Sequence, residues 1–351
     1  MTAEEAKRVR DEDAFDVTAV DAWLKAQRPG VLTGTPEVRQ FPGGASNLTY
    51  LLRYPDRELI LRRPPRGTKA KSAHDMRREH LIQSRLKPVF GYVPEMVALC
   101  TDESVIGSDF YVMEKLDGVI LRKQLPPGLT LTQGQARQLC LDLVDRLVEL
   151  HSVDPGDVGL DEIGKGAGYV QRQITGWCDR YRKARTWNVP TFGHVMDWLK
   201  THQPEDVRTC VIHNDYRLDN AVIDPDSLKI QGILDWEMAT LGDPLMDLGC
   251  TAAYWTQADD GRLALTLARQ PTHLPGMLSR DELVDYYCER SGLRPANWTF
   301  YEVYGLFRLA VIAQQIYYRY HHRQTRNPAF KHFWIWVHWL HRQINRRLKE
   351  T

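Results

Sequence analysis

Two short apolar runs, Cys210-Val211-Ile212 and Ile230 to Leu234, each lead into a carboxylate, and this pattern constrains the chain more than any other stretch. His213-Asn214-Asp215 follows the first run, and Asn220 lies five residues past that aspartate. The turn Asp224-Pro225-Asp226-Ser227 separates it from the second run, which ends on Asp235. Asp243 follows a glycine, and Asp247 precedes Leu248-Gly249. Strand ends bring their polar residues to one edge of a sheet. Single Asp and Asn residues there usually cap turns. The ordered set His213, Asp215, Asn220, Asp235 and Asp247 asks for a chemical explanation instead. Carboxylates at two strand ends plus one amide make an oxygen-rich site suited to a hard cation such as Mg²⁺.

Phosphoryl transfer uses such parts: an acid to orient or deprotonate a hydroxyl, and oxygen ligands for magnesium on nucleotide phosphates. His213-x-Asp215-x4-Asn220 followed by Ile233-Leu234-Asp235 resembles the catalytic loop and metal-binding aspartate of the eukaryotic-kinase-like superfamily. The Asp235-Trp236-Glu237 segment and Gly242-Asp243-Pro244-x-x-Asp247-Leu248-Gly249 resemble its aminoglycoside phosphotransferase (choline kinase-like) branch. Within that branch they resemble the subgroup related to the kinase domain of acyl-CoA dehydrogenase fusion proteins. The resemblance implies Asp215 as catalytic base, Asn220 and Asp235 as magnesium ligands, and His213 and Asp247 as braces of the loop.

The other parts of such a site are sought upstream. Pro42-Gly43-Gly44-Ala45-Ser46-Asn47 joins two predicted strands, 38–41 and 48–54. A glycine-rich turn lets backbone N–H groups approach a phosphate, although it is also an ordinary hairpin turn. Upstream of the catalytic loop it is expected to hold phosphates through Gly43, Gly44, Ser46 and Asn47. A third strand, 58–62, carries Arg62 on the face opposite Leu61. The resemblance places a lysine there in most kinases; Arg62 takes that part, since arginine also binds phosphate. Arg63 is expected to be a solvated strand-end residue. Glu79, in the predicted helix 72–86, is the candidate partner of Arg62, against the alternative of a surface glutamate among Arg77, Arg78 and Arg85. Residues 110–118 form a strand and polar turn resembling the hinge between kinase lobes. Met113 would back an adenine pocket, with base contacts to the Glu114 carbonyl and Leu116 amide; an edge strand and turn is the alternative.

Residues 130–151 form a predicted helix with Leu139, Leu143, Leu147 and Leu150 at helical spacing, Thr132 as cap and Gln135 three later. Further helices are expected at 16–27, capped by Thr18, at 168–182, 191–201 and 252–270, at 281–290 capped by Ser279, and at 300–323 and 329–349. Residues 1–15 are expected to form a poorly ordered polar arm. Arg172, Arg180, Arg182, Lys183 and Arg185 against Asp179 make 168–185 basic, so Arg172 and Arg182 are candidate contacts to an anionic acceptor. Arg217 and Glu237 are further acceptor-side candidates. His321, His322, His332, His338 and His341 suggest packing or surface roles over a metal site.

With 351 residues, two lobes or domains are expected. A formal net charge of +1 gives no sign of bulk nucleic-acid binding. No apolar run approaches the ~18 residues of a membrane span, and the charged N-terminus lacks a secretory core. Six cysteines without a CxxC pair fit a reducing, cytoplasmic setting.

The expected fold is therefore α+β and bilobal, protein-kinase-like, with an antiparallel sheet in the small lobe and a larger, mostly helical lobe. Residues 1–29 would form an arm and helix, 30–117 the nucleotide-binding lobe with its hinge at 113–118, and 118–351 the catalytic and substrate-binding lobe. The expected function is ATP-dependent phosphorylation of a small-molecule hydroxyl with ATP and Mg²⁺, without nucleic-acid or membrane partners. The resemblance suggests an anionic hydroxy acid or hydroxyacyl-CoA as acceptor. An aminoglycoside phosphotransferase is the alternative within the class. A non-catalytic nucleotide-binding module and a metal-dependent phosphohydrolase are the alternatives outside it.

Overall fold

The computed structural model describes residues 6–42, 47–65 and 75–350. Gly43, Gly44 and Ser46 lie outside the described residues. The chain divides into two compact units, and neither is continuous in sequence. The first comprises 1–130, 157–163 and 218–239; the second comprises 131–156, 164–217 and 240–351.

The first unit is built on five antiparallel strands. They are β1 (Glu37–Gln40), β2 (Leu48–Arg53), β3 (Glu58–Arg63), β4 (Met96–Cys100) and β5 (Phe110–Glu114), in the order β1-β2-β3-β5-β4. Both faces of the sheet are covered, so its central strands read as nearly continuous apolar runs. On one face, Tyr50, Leu52, Leu59, Leu61 and Val112 pack with Val20 and Leu24 of helix α1 (Val17–Gln27). On the other, Leu51, Ile60, Tyr111 and Met113 pack with Met76 of helix α2 (Met76–Leu86). Each such side chain contributes about 1.5–3 kcal/mol by leaving water. A one-turn helix, α3 (Glu103–Ile106), lies between β4 and β5.

The period of two sends the neighbouring arginines of β3 to opposite faces. Arg62 joins the α2 face. Arg63 points to the α1 face, where it is buried rather than solvated. Its Nη2 donates to the Asp13 carbonyl at 2.5 Å and to Tyr50 Oη at 3.0 Å, and its guanidinium lies 5.4 Å from the Phe15 ring. The N-terminal residues supply this cover. Lys7 bridges Gln40, and Asp13 accepts from the Gln40 side chain, so 6–15 run along the sheet instead of forming a loose arm. Asp16, not Thr18, caps α1, accepting from the Ala19 amide.

A hairpin of Ala221–Ile223 and Ile230–Ile233 completes this unit. It packs tightly under the segment after β5. Gly118, at φ +139°, leaves no room for a side chain, since a Cβ there would lie 2.6 Å from the Ile223 carbonyl oxygen.

The second unit is mostly helical. Its helices are α4 (Gln133–His151), α5 (Tyr169–Ala184), α6 (Gly193–Thr201), α7 (Pro244–Tyr254), α8 (Arg262–Leu267), α9 (Arg280–Ser291), α10 (Trp298–His321) and α11 (Phe333–Glu350). Capping boxes start α4, with Thr132 and Gln135, and α9, with Ser279 and Glu282. The helix expected at 252–270 is replaced by α7 and the short α8. Residues 244–252 are buried all round, so α7 lacks the amphipathic period by which a surface helix is recognised. Gly249 serves close packing there: a Cβ on it would lie 2.5 Å from the Tyr301 carbonyl of α10, and one on Gly305 would strike the Gly249 carbonyl. A two-stranded pair, Cys210–Ile212 with Thr240–Gly242, leads the chain into the residues of interest. All six cysteines are buried and free. Among the described residues no helix is long and apolar enough to cross a membrane.

Candidate active site

The first unit gathers a charged cluster around Arg62. Its Nη1 lies 3.4 Å from Glu79 Oε2, and its Nη2 donates to Asp235 Oδ1 at 3.0 Å. Glu79 is buried and accepts from Tyr111 Oη at 3.0 Å and Asn47 Nδ2 at 2.8 Å. Asn47 Nδ2 also lies 3.3 Å from Glu237 Oε2. Burial works against the charge on Arg62, but Tyr111, Glu79 and Asp235 outweigh it and hold its pKa above the ordinary value. Burial pushes the Glu79 carboxyl up, while Arg62, Tyr111 and Asn47 pull it back.

Local structure sets this cluster. Alternation in β3 aims Arg62, and Asp75 caps α2 one turn before Glu79. Asp235 leaves the hairpin in the left-handed region at φ +69°, which aspartate tolerates better than most residues. The Leu234 amide donates to the Asn220 carbonyl at 2.8 Å, which holds the two ends of the hairpin together. Met113, Glu114 and Leu116 line a small slot with Ile60, Lys115, Val222 and Leu234. The Glu114 side chain is turned to Lys87 Nζ and the Glu95 amide.

Two observations test whether magnesium and phosphate suit this cluster. Two carboxylates, Glu79 and Asp235, share the one guanidinium of Arg62, and a third, Glu237, reaches Asn47 beside Glu79, an excess of negative charge that a divalent cation would offset. Arg62 Nε is buried without a hydrogen-bond partner among the described residues, a donor suited to a phosphate oxygen. Magnesium keeps several waters and phosphate ligands, so two protein oxygens, such as Asn220 and Asp235 could offer, would be an ordinary complement.

The second unit holds the His213–Arg217 loop. Asp247, fully buried, accepts the His213 amide at 2.8 Å and the Asn214 amide at 2.7 Å. His151 Nε2 lies 3.1 Å from the same carboxylate, and His151 Nδ1 lies 2.7 Å from Tyr287 Oη. Burial would raise the Asp247 pKa, but the His151 hydrogen bond, the His151 and His213 charges and the His213 amide together lower it. His213 Nδ1 accepts the Asp215 amide at 3.2 Å. Asn214 sits at φ +64°, its side chain accepting from Tyr169 Oη and its carbonyl from Arg308 Nη2 at 2.8 Å. Tyr216 Oη donates to the Leu143 carbonyl.

Asp215 pairs with Arg217, Nη2 to Oδ2, at 3.0 Å. Both line a cavity of about 370 Å³ with Tyr254 of α7. Its wall is largely apolar: Leu306, Leu309, Ile312 and Ile316 from α10, and Phe333, Trp336 and Trp339 from α11. Its charged residues are Arg217, Arg269, Arg280 and Arg347 beside Asp215, Asp260 and Glu302. Arg280 forms a two-pronged pair with Asp260, and Arg347 pairs with Glu302.

The acceptor-side candidates divide. Arg217 lies in this cavity. Glu237 lies in the first unit with Asn47. Arg172 is turned to the carbonyls of Gly166 and Ala167, and Arg182 forms an exposed pair with Asp179; neither lines the cavity. His338 Nε2 contacts the Asn188 carbonyl, and the His341 ring packs on Phe192. Sequence patterns missed His151, Tyr169, Tyr287 and Arg308, whose partners are far away in the chain. The one available signal was a histidine closing the leucine-striped helix α4.

Residues 37–283 match the phosphotransferase enzyme family (APH). The chain is similar to mouse acyl-CoA dehydrogenase family member 10, at 36% identity over 313 residues. That match takes in 89% of this chain but 29% of the mouse protein, so the chain spans less than a third of this relative. Among solved structures, a Ralstonia eutropha chain named with the aminoglycoside phosphotransferases superposes with TM-score 0.81 at 30% identity, over 96% of this chain and 99% of that one. Choline kinase from Cryptosporidium parvum shares the fold, with TM-score 0.63 at 12% identity, over 95% of this chain and 96% of that one.

Proposed function

The chain belongs to the phosphotransferase enzyme family, with the bilobal α+β kinase-like fold, and on that premise we propose that it phosphorylates the hydroxyl of a small anionic or amphipathic acceptor with ATP. Asp215 is the base. It takes the hydroxyl proton as the acceptor oxygen bonds to the γ-phosphorus and the bond from that phosphorus to the β,γ-bridging oxygen breaks, releasing ADP. Asp247 and His213 fix the loop that presents Asp215. Arg62, oriented by Glu79, and Asn47 hold phosphate oxygens, and Gly43, Gly44 and Ser46 are assigned to the same task on the sequence alone. Met113, Glu114 and Leu116 receive the base. Asn220 and Asp235 would hold magnesium, which when bound neutralises charge on the phosphates.

The observation that carries the acceptor class is the cavity holding Asp215 and Arg217. Its apolar wall suits an aliphatic body, and its ionic residues show no acidic excess of the kind a polycationic aminoglycoside would seek. A hydroxy acid or hydroxyacyl-CoA fits that lining. The relatives named as acyl-CoA dehydrogenase family members make acyl-CoA chemistry a reasonable context. The test is acceptor-dependent ADP release over a panel of hydroxy acids, hydroxyacyl-CoAs, choline and aminoglycosides, with and without Mg²⁺. Hydroxyacyl substrates should turn over best. A preference for aminoglycosides would make this an antibiotic kinase, and nucleotide binding without turnover of any acceptor would favour a binding module.

A further inference from the structure

Arg217 is attached at both ends of its reach. Its Nη2 holds Asp215 Oδ2 at 3.0 Å, and its guanidinium carbon lies 4.5 Å from the centroid of the Tyr254 ring. The pair is largely shielded, with side-chain exposures of 11% for Arg217 and 21% for Asp215. Tyr254 is the last residue of α7, and Asp247 is seven residues before it on the same helix. Seven residues make about two turns, so both side chains leave α7 on one face. One helix therefore holds the loop twice: Asp247 takes its backbone amides, and Tyr254 supports the arginine that holds its carboxylate.

We propose that Tyr254 is a positioning residue for phosphoryl transfer, acting through Arg217. An unsupported arginine has many rotamers, and a carboxylate tied to a wandering partner would wander with it. The aromatic face removes that freedom by attracting the guanidinium, more strongly where water is excluded. With Oδ2 tied, rotation of the Asp215 carboxylate is restricted, and the group that receives the acceptor proton keeps one orientation. Positioning of this kind affects the chemical step more than ground-state binding. The inference rests on Asp215 being the base.

The test is steady-state kinetics of the full chain with ATP and the best acceptor of the panel. Tyr254→Leu is expected to lower kcat about tenfold, the scale of a partly desolvated cation–π contact, with KM for ATP unmoved. Tyr254→Phe and Tyr254→Trp, which keep a ring, should recover most of that loss. Tyr254→Leu added to Arg217→Met should cost nothing beyond Arg217→Met alone. Equal losses in the Phe and Leu variants, or multiplying losses in the double variant, would overturn the proposal. If Tyr254→Leu does not fold, Arg217→Lys carries the test, because lysine keeps the charge but not the planar stack. Its kcat should also fall about tenfold, and wild-type kcat would overturn the proposal. Asp215→Asn separates the two ideas. An active Asn variant removes the base assignment itself, whereas an inactive one beside an unaffected Tyr254→Leu removes only the role of Tyr254.

Discussion

His151 Nε2 stands 3.1 Å from Asp247 Oδ2, and that same oxygen accepts the His213 amide at 2.8 Å. One buried carboxylate thus joins the end of α4 to the loop carrying Asp215. A charge buried this way is stable only while its donors remain, and removing one side of such a contact costs about 3–5 kcal/mol.

Asp247→Asn should therefore destabilise the protein in a pH-dependent way. The folded-state pKa of Asp247 is depressed. Its contribution is present above the unfolded value of about 3.9 and is lost as pH falls through the folded value. Urea midpoints of wild type and variant should differ most near neutrality and converge in acid. A gap constant down to the acid limit would contradict the lowered pKa.

Asp215→Asn should keep nucleotide affinity and lose turnover by about 10²–10⁴, the range for a positioned general base. Isothermal titration with Mg·ATP, set beside turnover, checks both halves of this expectation.

Asp235→Ala should weaken ATP binding strongly with magnesium and little without it, because the carboxylate proposed as a metal ligand is gone. The variant also strips Arg62 of one partner, so its binding should be compared with that of Asp235→Asn. Equal weakening with and without the metal would reassign Asp235 to holding Arg62.

The two arginines of β3 should fail differently. Arg62→Ala should impair turnover, since the cation beside Glu79 is lost. Arg63→Ala should leave the catalytic constants of the folded protein near normal but lower stability by about 2–4 kcal/mol, because the Asp13 carbonyl and Tyr50 hydroxyl lose buried donors. Thermal melting and kinetics on both variants decide this, and the reverse pattern would exchange the two assignments.

Arg182→Glu should leave the acceptor KM nearly unchanged, because Arg182 lies in an exposed pair outside the cavity. Ile312→Gln, on the apolar wall, should raise that KM several-fold if an aliphatic acceptor body lies there. A large effect of Arg182→Glu at low salt would restore the basic helix as the acceptor surface.

Legibility in the sequence followed the range of the interactions. Alternation in β3 separated Arg62 from Arg63, and the Thr132–Gln135 pattern and the Ser279 cap located the starts of α4 and α9, because these signals act over a few residues. The environment of Arg63 was not legible, since the cover over it comes from residues 50 positions earlier. Nor was α7, whose burial on every side erases the amphipathic period. The basic run from Arg172 to Arg185 was visible as charge, but nothing local said that Arg172 would be turned to carbonyls or that Arg182 would remain outside. His151 meets Asp247, and Arg308 meets the His213–Arg217 loop, only through tertiary packing, 96 and 94 residues apart in the chain.

The bare crossing of Gly249 and Gly305 has a mechanical consequence. α7 delivers Asp247 to two amides of the loop, and α10 delivers Arg308 to the Asn214 carbonyl that follows them. The loop is thus hung from two beams, and the bearing between those beams is glycine against backbone carbonyls, with only the Cβ atoms of Tyr301 and Ala253 beside it. Its working clearance is fixed by covalent geometry, which does not vary with rotamer. A single methyl at Gly305 would jack the beams apart and tilt the suspended loop, detuning the chemistry from a point that touches neither nucleotide nor acceptor.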